Sequence, residues 1–161
     1  MDNEKVVALR EAILRSFPAR EHKGKITEVD GEWLPELTEE NEILDDEKFL
    51  YEAVNGRLWT QVSKMYLQSA PDGFVLLSDE AFAAFLPAWL ILSLENMDGE
   101  NEVREFLIYS FSSSMQQFRV LNTEQQDVVR ALVDEFSKFE RSSFIREYAR
   151  EALALIDRKR Y

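Results

Sequence analysis

Apolar residues run almost without interruption through the middle of the chain, from Phe74 to Leu94. Between Ala81 and Leu94 no residue is charged, and Ser93 carries the only polar side chain. A helix that is apolar nearly all round is typical of the interior of a bundle. A transmembrane helix needs about 20 apolar residues, whereas this run is shorter and is interrupted by Pro87. We therefore expect a buried central helix whose first N–H groups are capped by Ser78.

Pro87 is expected to disturb this helix, because it has no backbone N–H and its ring presses on the carbonyl of Ala83. Two alternatives remain open: one helix that bends at this point, or two shorter helices that meet there. A bend in the most buried element would either wrap the core or shape a pocket, and wrapping is the favoured interpretation. The residues that would line such a pocket are Trp59, Phe82, Phe85 and Trp89.

Amphipathic segments with near-helical spacing lie on both sides of the central stretch. The spacing predicts helices over 4–17, 59–67 and 102–111. A further helix is expected to begin at Asp45 or Asp46 and end at 54, and another to begin with a capping box at Thr123 and Gln126 and end at 139. The last predicted helix begins at Ser142 or Ser143 and runs toward the C-terminus. A loop is expected over 26–37, a turn over 69–73 and a brief extended segment over 74–77. The predicted fold is an all-α bundle, one domain over 1–161, with at most a minor extended segment around the buried central helix.

One sequence pattern resembles that of a known family. The pattern is Ser78-x-Glu80-Ala81-Phe82-x-x-x-Leu86-Pro87-Ala88-x-Leu90, preceded by Gly56-x-x-Trp59. It is similar to the signature of an uncharacterised family of small bacterial proteins that carries a domain of unknown function. The resemblance covers Asp46 to Leu94, fits more loosely at Thr123-x-x-Gln126, and departs from the family where Ala84-Phe85 replaces an aromatic pair. The matching residues are core-forming types, so the resemblance implies a fold and a bacterial origin but no activity.

Composition is that of an ordinary globular protein. The 161 residues suit one domain with a sizeable core, and an apolar content of 45% with a charged content of 31% is not typical of disorder. The chain has no cysteine, which excludes disulfides, thiolate metal sites and cysteine nucleophiles. Its charged, amphipathic N-terminus is unlike a signal peptide, so we expect a cytoplasmic protein.

Negative charge is concentrated in one block of the sequence. The formal net charge is −12, which argues against nucleic acid as a partner because phosphates attract clustered lysine and arginine. The block from Glu28 to Glu52 holds eleven acidic residues and one lysine, a net charge of −10. Such a block is most often a solvated face, and the alternative is a surface that attracts a basic protein partner. The candidate residues of that acidic face are Glu36, Glu39, Glu40, Glu42, Asp45 and Asp46.

Motifs of common catalytic and cofactor sites are absent from the sequence. It contains no P-loop, no Rossmann glycine pattern, no HExxH and no Cys/His cluster. The lone His22 has no second histidine to pair with, and the serines at 112–114 lack a nucleophile context. We expect no cofactor, no metal site and no membrane association.

Three hypotheses about function remain. The favoured one is a non-enzymatic acidic interaction protein, of an immunity or regulatory type, that binds a basic partner. The second is a small-ligand binder or enzyme that uses the aromatic pocket beside Pro87. The third is a structural homodimer.

Overall fold

The fold is an all-α bundle, as the apolar pattern predicts. A computed structural model describes residues 2–30, 42–113 and 115–159, apart from the side chains of 42–44 and 159. The α-helices of these residues are α1 (Asn3–Ser16), α2 (Glu42–Val54), α3 (Lys64–Ser69), α4 (Asp79–Leu92), α5 (Glu102–Ser112), α6 (Thr123–Phe139) and α7 (Ser143–Lys159). Short 3₁₀ helices lie at Trp59–Gln61, Gly73–Leu76 and Gln116–Val120, and no strand occurs in this part of the chain.

Helix α4 is the buried centre of the bundle. Ser78 Oγ accepts a hydrogen bond from the backbone N–H of Ala81 at 3.2 Å, so the predicted cap is confirmed. The helix runs without a break through Pro87, which decides between the two alternatives in favour of a single helix. Helices α1, α3 and α5 and the three 3₁₀ helices named above pack around it. No helix in the described part of the chain has both the length and the apolar character to cross a membrane.

The two C-terminal helices form an antiparallel pair. Arg130, in the first half of α6, places its Nε 2.7 Å from Oδ1 of Asp157, near the end of α7. Because only residues 140–142 connect the two helices, the end of α7 reaches Arg130 only if α7 folds back along α6 in the opposite direction. Helix α7 also packs on α5, and α6 packs on α1.

Two predicted helix starts were misplaced. Helix α2 begins at Glu42, so neither Asp45 nor Asp46 is its cap. The capping box of α6 uses Asn122 and Gln125, one residue before the predicted pair: Asn122 Oδ1 accepts from the N–H of Gln125 at 2.8 Å, and Gln125 Oε1 accepts from the N–H of Asn122 at 3.0 Å. Asparagine is a stronger N-cap than threonine, which explains the shift.

The region between α2 and α4 also differs from expectation. The predicted helix over 59–67 is divided into the 3₁₀ helix Trp59–Gln61 and α3, because Ser63 Oγ accepts from the N–H of Tyr66 at 3.1 Å and starts a new helix. The segment 74–77 is mostly the 3₁₀ helix Gly73–Leu76 and is not extended. Gly56, with φ +73°, adopts the left-handed conformation that glycine commonly takes after the end of a helix.

A buried arginine closes the C-terminal end of α4. Arg104 has no exposed surface, and its guanidinium donates to the carbonyl oxygens of Ser93 at 3.2 Å, Glu95 at 2.8 Å and Asn96 at 3.0 Å. It also forms an ion pair with Glu140, at 3.3 Å. Ser93 is the C-cap of α4, and Glu95 and Asn96 belong to the turn that follows it. Arg104 therefore ties the end of α4 and this turn to α5.

Candidate functional site

The structure describes only part of the predicted acidic face. Glu36, Glu39 and Glu40 lie outside the described residues, as does the side chain of Glu42. Asp45 and Asp46 are exposed on α2. Asp45 and Asp46 are therefore the residues of the predicted acidic face whose side chains the structure describes.

The residues predicted to line a pocket beside Pro87 are packed in the core. Phe82, Phe85 and Trp89 are at most 2% exposed, and Trp59 is 6% exposed. The indole Nε1 of Trp59 donates to the carbonyl of Phe17 at 2.8 Å, and Trp59 also lines a surface cavity of about 150 Å³ together with Leu67, Ala88 and Ile91. Phe82, Phe85 and Trp89 thus serve as core, whereas Trp59 also reaches a surface cavity.

An open groove lies between α2 on one side and α3 with the 3₁₀ helix Gly73–Leu76 on the other. Its volume is about 660 Å³. We call it the α2 groove and define it by six of its lining residues, Asp46, Phe49, Tyr66, Asp72, Val75 and Leu76. The groove therefore contains one residue of the predicted acidic face, Asp46.

Two aromatic rings of the α2 groove connect its surface to the core. The ring centroids of Phe49 and Tyr66 are 5.4 Å apart, and Tyr66 in turn meets Trp89 edge to face at 6.2 Å. Phe49 is 54% exposed, although apolar residues of an amphipathic helix usually face the core. The groove therefore offers an apolar surface that rests on the central helix.

Gly73 allows the wall of the groove to approach these rings closely. A Cβ atom at this position would lie 2.9 Å from the hydroxyl oxygen of Tyr66 and 3.1 Å from Cζ2 of Trp89. Both distances are shorter than ordinary van der Waals contacts. A side chain at position 73 would therefore displace Tyr66 or Trp89.

The electrostatic character of the α2 groove is negative. Asp46 and Asp72 are both exposed, and neither belongs to an ion pair among the described residues. The pKa of Tyr66 is raised, mainly by burial and further by the negative charges of Asp72 and Asp46. Both carboxylates are thus close enough to influence the phenol, which stays protonated and remains a hydrogen-bond donor.

One arginine lies close to the groove but is engaged elsewhere. Arg57 lines an adjoining cavity of about 250 Å³ that shares Phe49 and Tyr66 with the α2 groove. Its guanidinium donates to the carbonyl oxygens of Glu52 at 2.9 Å and Ala53 at 2.8 Å. Arg57 therefore closes the C-terminal end of α2.

A second group of carboxylates gathers beside α2. The pKa of Glu47 is raised, first by burial and then by the charges of Asp30 and Glu28. Oε2 of Glu47 is buried and has no hydrogen-bond partner among the described residues. Asp30, by contrast, accepts from the backbone N–H of Ile26 at 2.6 Å and of Thr27 at 2.7 Å. No group of three or more such side chains in the described ranges is arranged to hold a metal ion.

The sequence assigns the protein to a family. A family of unknown function, DUF6714, matches residues 25–154. The chain belongs to DUF6714. The matched range includes the whole α2 groove and α4, whereas α1 lies outside it. No curated protein and no solved structure matches the chain.

Sequence reasoning found Asp46 but missed the rest of the α2 groove. The sequence does indicate that Phe49 lies next to Asp46, because the two residues are three positions apart and so share one face of α2. The contribution of Asp72 and Val75 could not be predicted in the same way, since the turn and the 3₁₀ helix that carry them approach α2 only in the folded chain.

Proposed function

We propose that this DUF6714 protein is a non-enzymatic interaction protein of a regulatory or immunity type, and that it binds a basic protein partner through the α2 groove. The observation that carries the proposal is the position of Asp46 and Asp72, two exposed carboxylates without an ion-pair partner among the described residues, beside the exposed ring of Phe49. The proposed setting is the bacterial cytoplasm, which agrees with the sequence resemblance and with the lack of cysteine.

Charge supports association with a basic protein in two ways. The net charge of −12 accelerates encounter with a positively charged partner. Carboxylates at the groove then favour a complementary orientation of that partner and disfavour acidic competitors. The apolar surface of Phe49 adds contact area that a purely solvated acidic face would lack.

Calorimetry with a basic peptide tests the proposal. The probe is a synthetic peptide of alternating glycine and arginine, and the variant is Asp46→Asn with Asp72→Asn. The matched control is Glu11→Gln with Glu151→Gln, which removes the same charge from exposed positions on α1 and α7. We expect the groove variant, and not the control, to lose binding, and we expect wild-type affinity to fall as salt rises from about 0.05 M to about 0.5 M.

Equal loss of affinity in the two double variants would contradict the proposed function. That result would mean that the peptide senses only the total charge of the protein and not the α2 groove.

A further inference from the structure

We infer that the α2 groove receives an arginine side chain of the partner, with its guanidinium facing Asp46 and Asp72 and its flat surface against the ring of Phe49. This inference rests on the proposed function and specifies the chemical group that the groove recognises. It follows from the charges, the exposed apolar surface and a parallel arrangement elsewhere in the same chain.

The two negative charges of the groove attract a cation. Asp46 and Asp72 come from different elements, α2 and the turn before the 3₁₀ helix Gly73–Leu76, yet both line the same groove. Arg57, the arginine of the adjoining cavity, donates to the carbonyls of Glu52 and Ala53. A cation supplied from outside would therefore meet two carboxylates that no ion pair of the described residues neutralises.

The apolar surface of the groove favours arginine over lysine. Phe49 is 54% exposed and Val75 is 37% exposed, so both can cover the aliphatic part of a long side chain. The planar guanidinium stacks on aromatic faces and presents several N–H donors in a fixed geometry, whereas the ammonium of lysine is a compact and strongly hydrated charge. A site with two carboxylates and an exposed ring therefore uses features that only arginine offers together.

The core of the protein contains the same combination of groups. The guanidinium carbon of Arg104 lies 5.7 Å from the ring centroid of Phe136, and its Nη1 lies 3.3 Å from Oε2 of Glu140. One arginine thus contacts a phenylalanine ring and a carboxylate at once. In the α2 groove, Phe49 and the two aspartates present the corresponding ring and carboxylates, and no arginine of the described residues is paired with them.

Three peptides of equal length test the inference. Each has five repeats of glycine followed by arginine, lysine or citrulline, so that the first two carry equal charge and the third is neutral with a nearly identical shape. We expect the arginine peptide to bind the wild-type protein about fivefold more tightly than the lysine peptide, and the citrulline peptide to show no measurable binding. All affinities are measured by calorimetry at one salt concentration.

The variant Phe49→Ala tests whether the preference for the arginine peptide over the lysine peptide depends on the ring of Phe49. Because Phe49 is largely exposed, its truncation leaves the core intact, and thermal unfolding confirms that the variant is folded. We expect the arginine peptide to bind this variant no more tightly than the lysine peptide. The control is Phe106→Ala on α5, where a partly exposed phenylalanine lies outside the groove and the preference should persist.

The other outcomes each overturn a defined part of the account. Equal affinity for the arginine and lysine peptides would overturn the arginine inference but leave the proposed function standing. No binding of either peptide would overturn both. A wild-type dimer in sedimentation that dissociates on Phe49→Ala would show that a second copy of the chain occupies the groove, which also overturns both.

Discussion

The indole ring of Trp89 meets the phenol ring of Tyr66 edge to face, with centroids 6.2 Å apart and planes at 79°. Trp89 belongs to the most buried helix, and Tyr66 lines the α2 groove. The indole Nε1 of Trp89 also donates to the carbonyl of Ala70, another residue of the groove, at 3.1 Å. The groove is therefore built directly on the core, and its shape depends on the packing of the central helix.

The variant Trp89→Ala is expected to lower the free energy of unfolding by about 3–5 kcal/mol, because it removes a fully buried aromatic ring and leaves a cavity. Urea unfolding measures the change. The control is Phe144→Ala, whose side chain is 64% exposed, with an expected cost below about 0.5 kcal/mol. A cost below about 1 kcal/mol for Trp89→Ala would contradict its place in the core.

Arg104→Met is expected to cost about 3–5 kcal/mol, since it leaves the buried Glu140 carboxylate without its counter-ion and removes the Arg104 donor from the buried carbonyl of Ser93. Burial lowers the pKa of Arg104 while Glu140 acts to raise it, so the ion pair partly compensates the loss of hydration. Adding Glu140→Gln to the variant should recover part of the loss, which a double-mutant cycle in urea measures. Strictly additive effects of the two substitutions would refute the coupling.

Gly73→Ala is expected to destabilise the protein by about 1–3 kcal/mol, because the new methyl group would overlap the Tyr66 hydroxyl and crowd Trp89. Thermal unfolding provides the measurement. The double variant with Tyr66→Phe should be more stable than Gly73→Ala alone, since the nearest obstructing atom is then removed. If adding Tyr66→Phe does not recover stability, the contact between position 73 and the Tyr66 hydroxyl is not the cause of the destabilisation.

Glu47→Gln is expected to raise the free energy of unfolding at neutral pH. Burial and the charges of Asp30 and Glu28 raise the pKa of Glu47 above its ordinary value of 4.5, so the folded state disfavours the ionised carboxylate. The native glutamate costs no stability below its ordinary pKa and costs progressively more as the pH rises through the raised value.

The check is urea unfolding of both proteins between pH ~4 and ~7, with Glu52→Gln on the same helix as the control. The gain from Glu47→Gln should appear only as the pH rises. A gain of the same size at every pH would contradict this explanation.

The sequence predicted the elements whose signals are local. The uncharged run from Ala81 to Leu94 is enough to indicate a buried helix, and Ser78 is enough to mark its start. The capping box was missed by one residue because Asn122 and Thr123 are both acceptable caps, and only the folded geometry selects between them.

The features that depend on distant residues could not be predicted in this way. In the sequence, Arg104 looks like an ordinary polar residue of an amphipathic helix. Its burial depends on Glu140, which is 36 residues later in the sequence and lies beside Arg104 only in the folded chain. Apolar residues of an amphipathic helix usually face the core, yet nothing in the described part of the chain covers more than half of the surface of Phe49. The α2 groove likewise exists only because a turn carrying Asp72 packs against α2.

The most direct test of the account is a nuclear magnetic resonance titration of the isotope-labelled protein with the glycine–arginine peptide. We predict that the backbone amides with the largest shift changes will cluster at Asp46 to Phe49 and at Asp72 to Val75, with little change on α6 and α7. Shift changes concentrated on the exposed acids of α7, such as Glu147 and Glu151, or spread evenly over the surface, would contradict the claim that the α2 groove is the binding site.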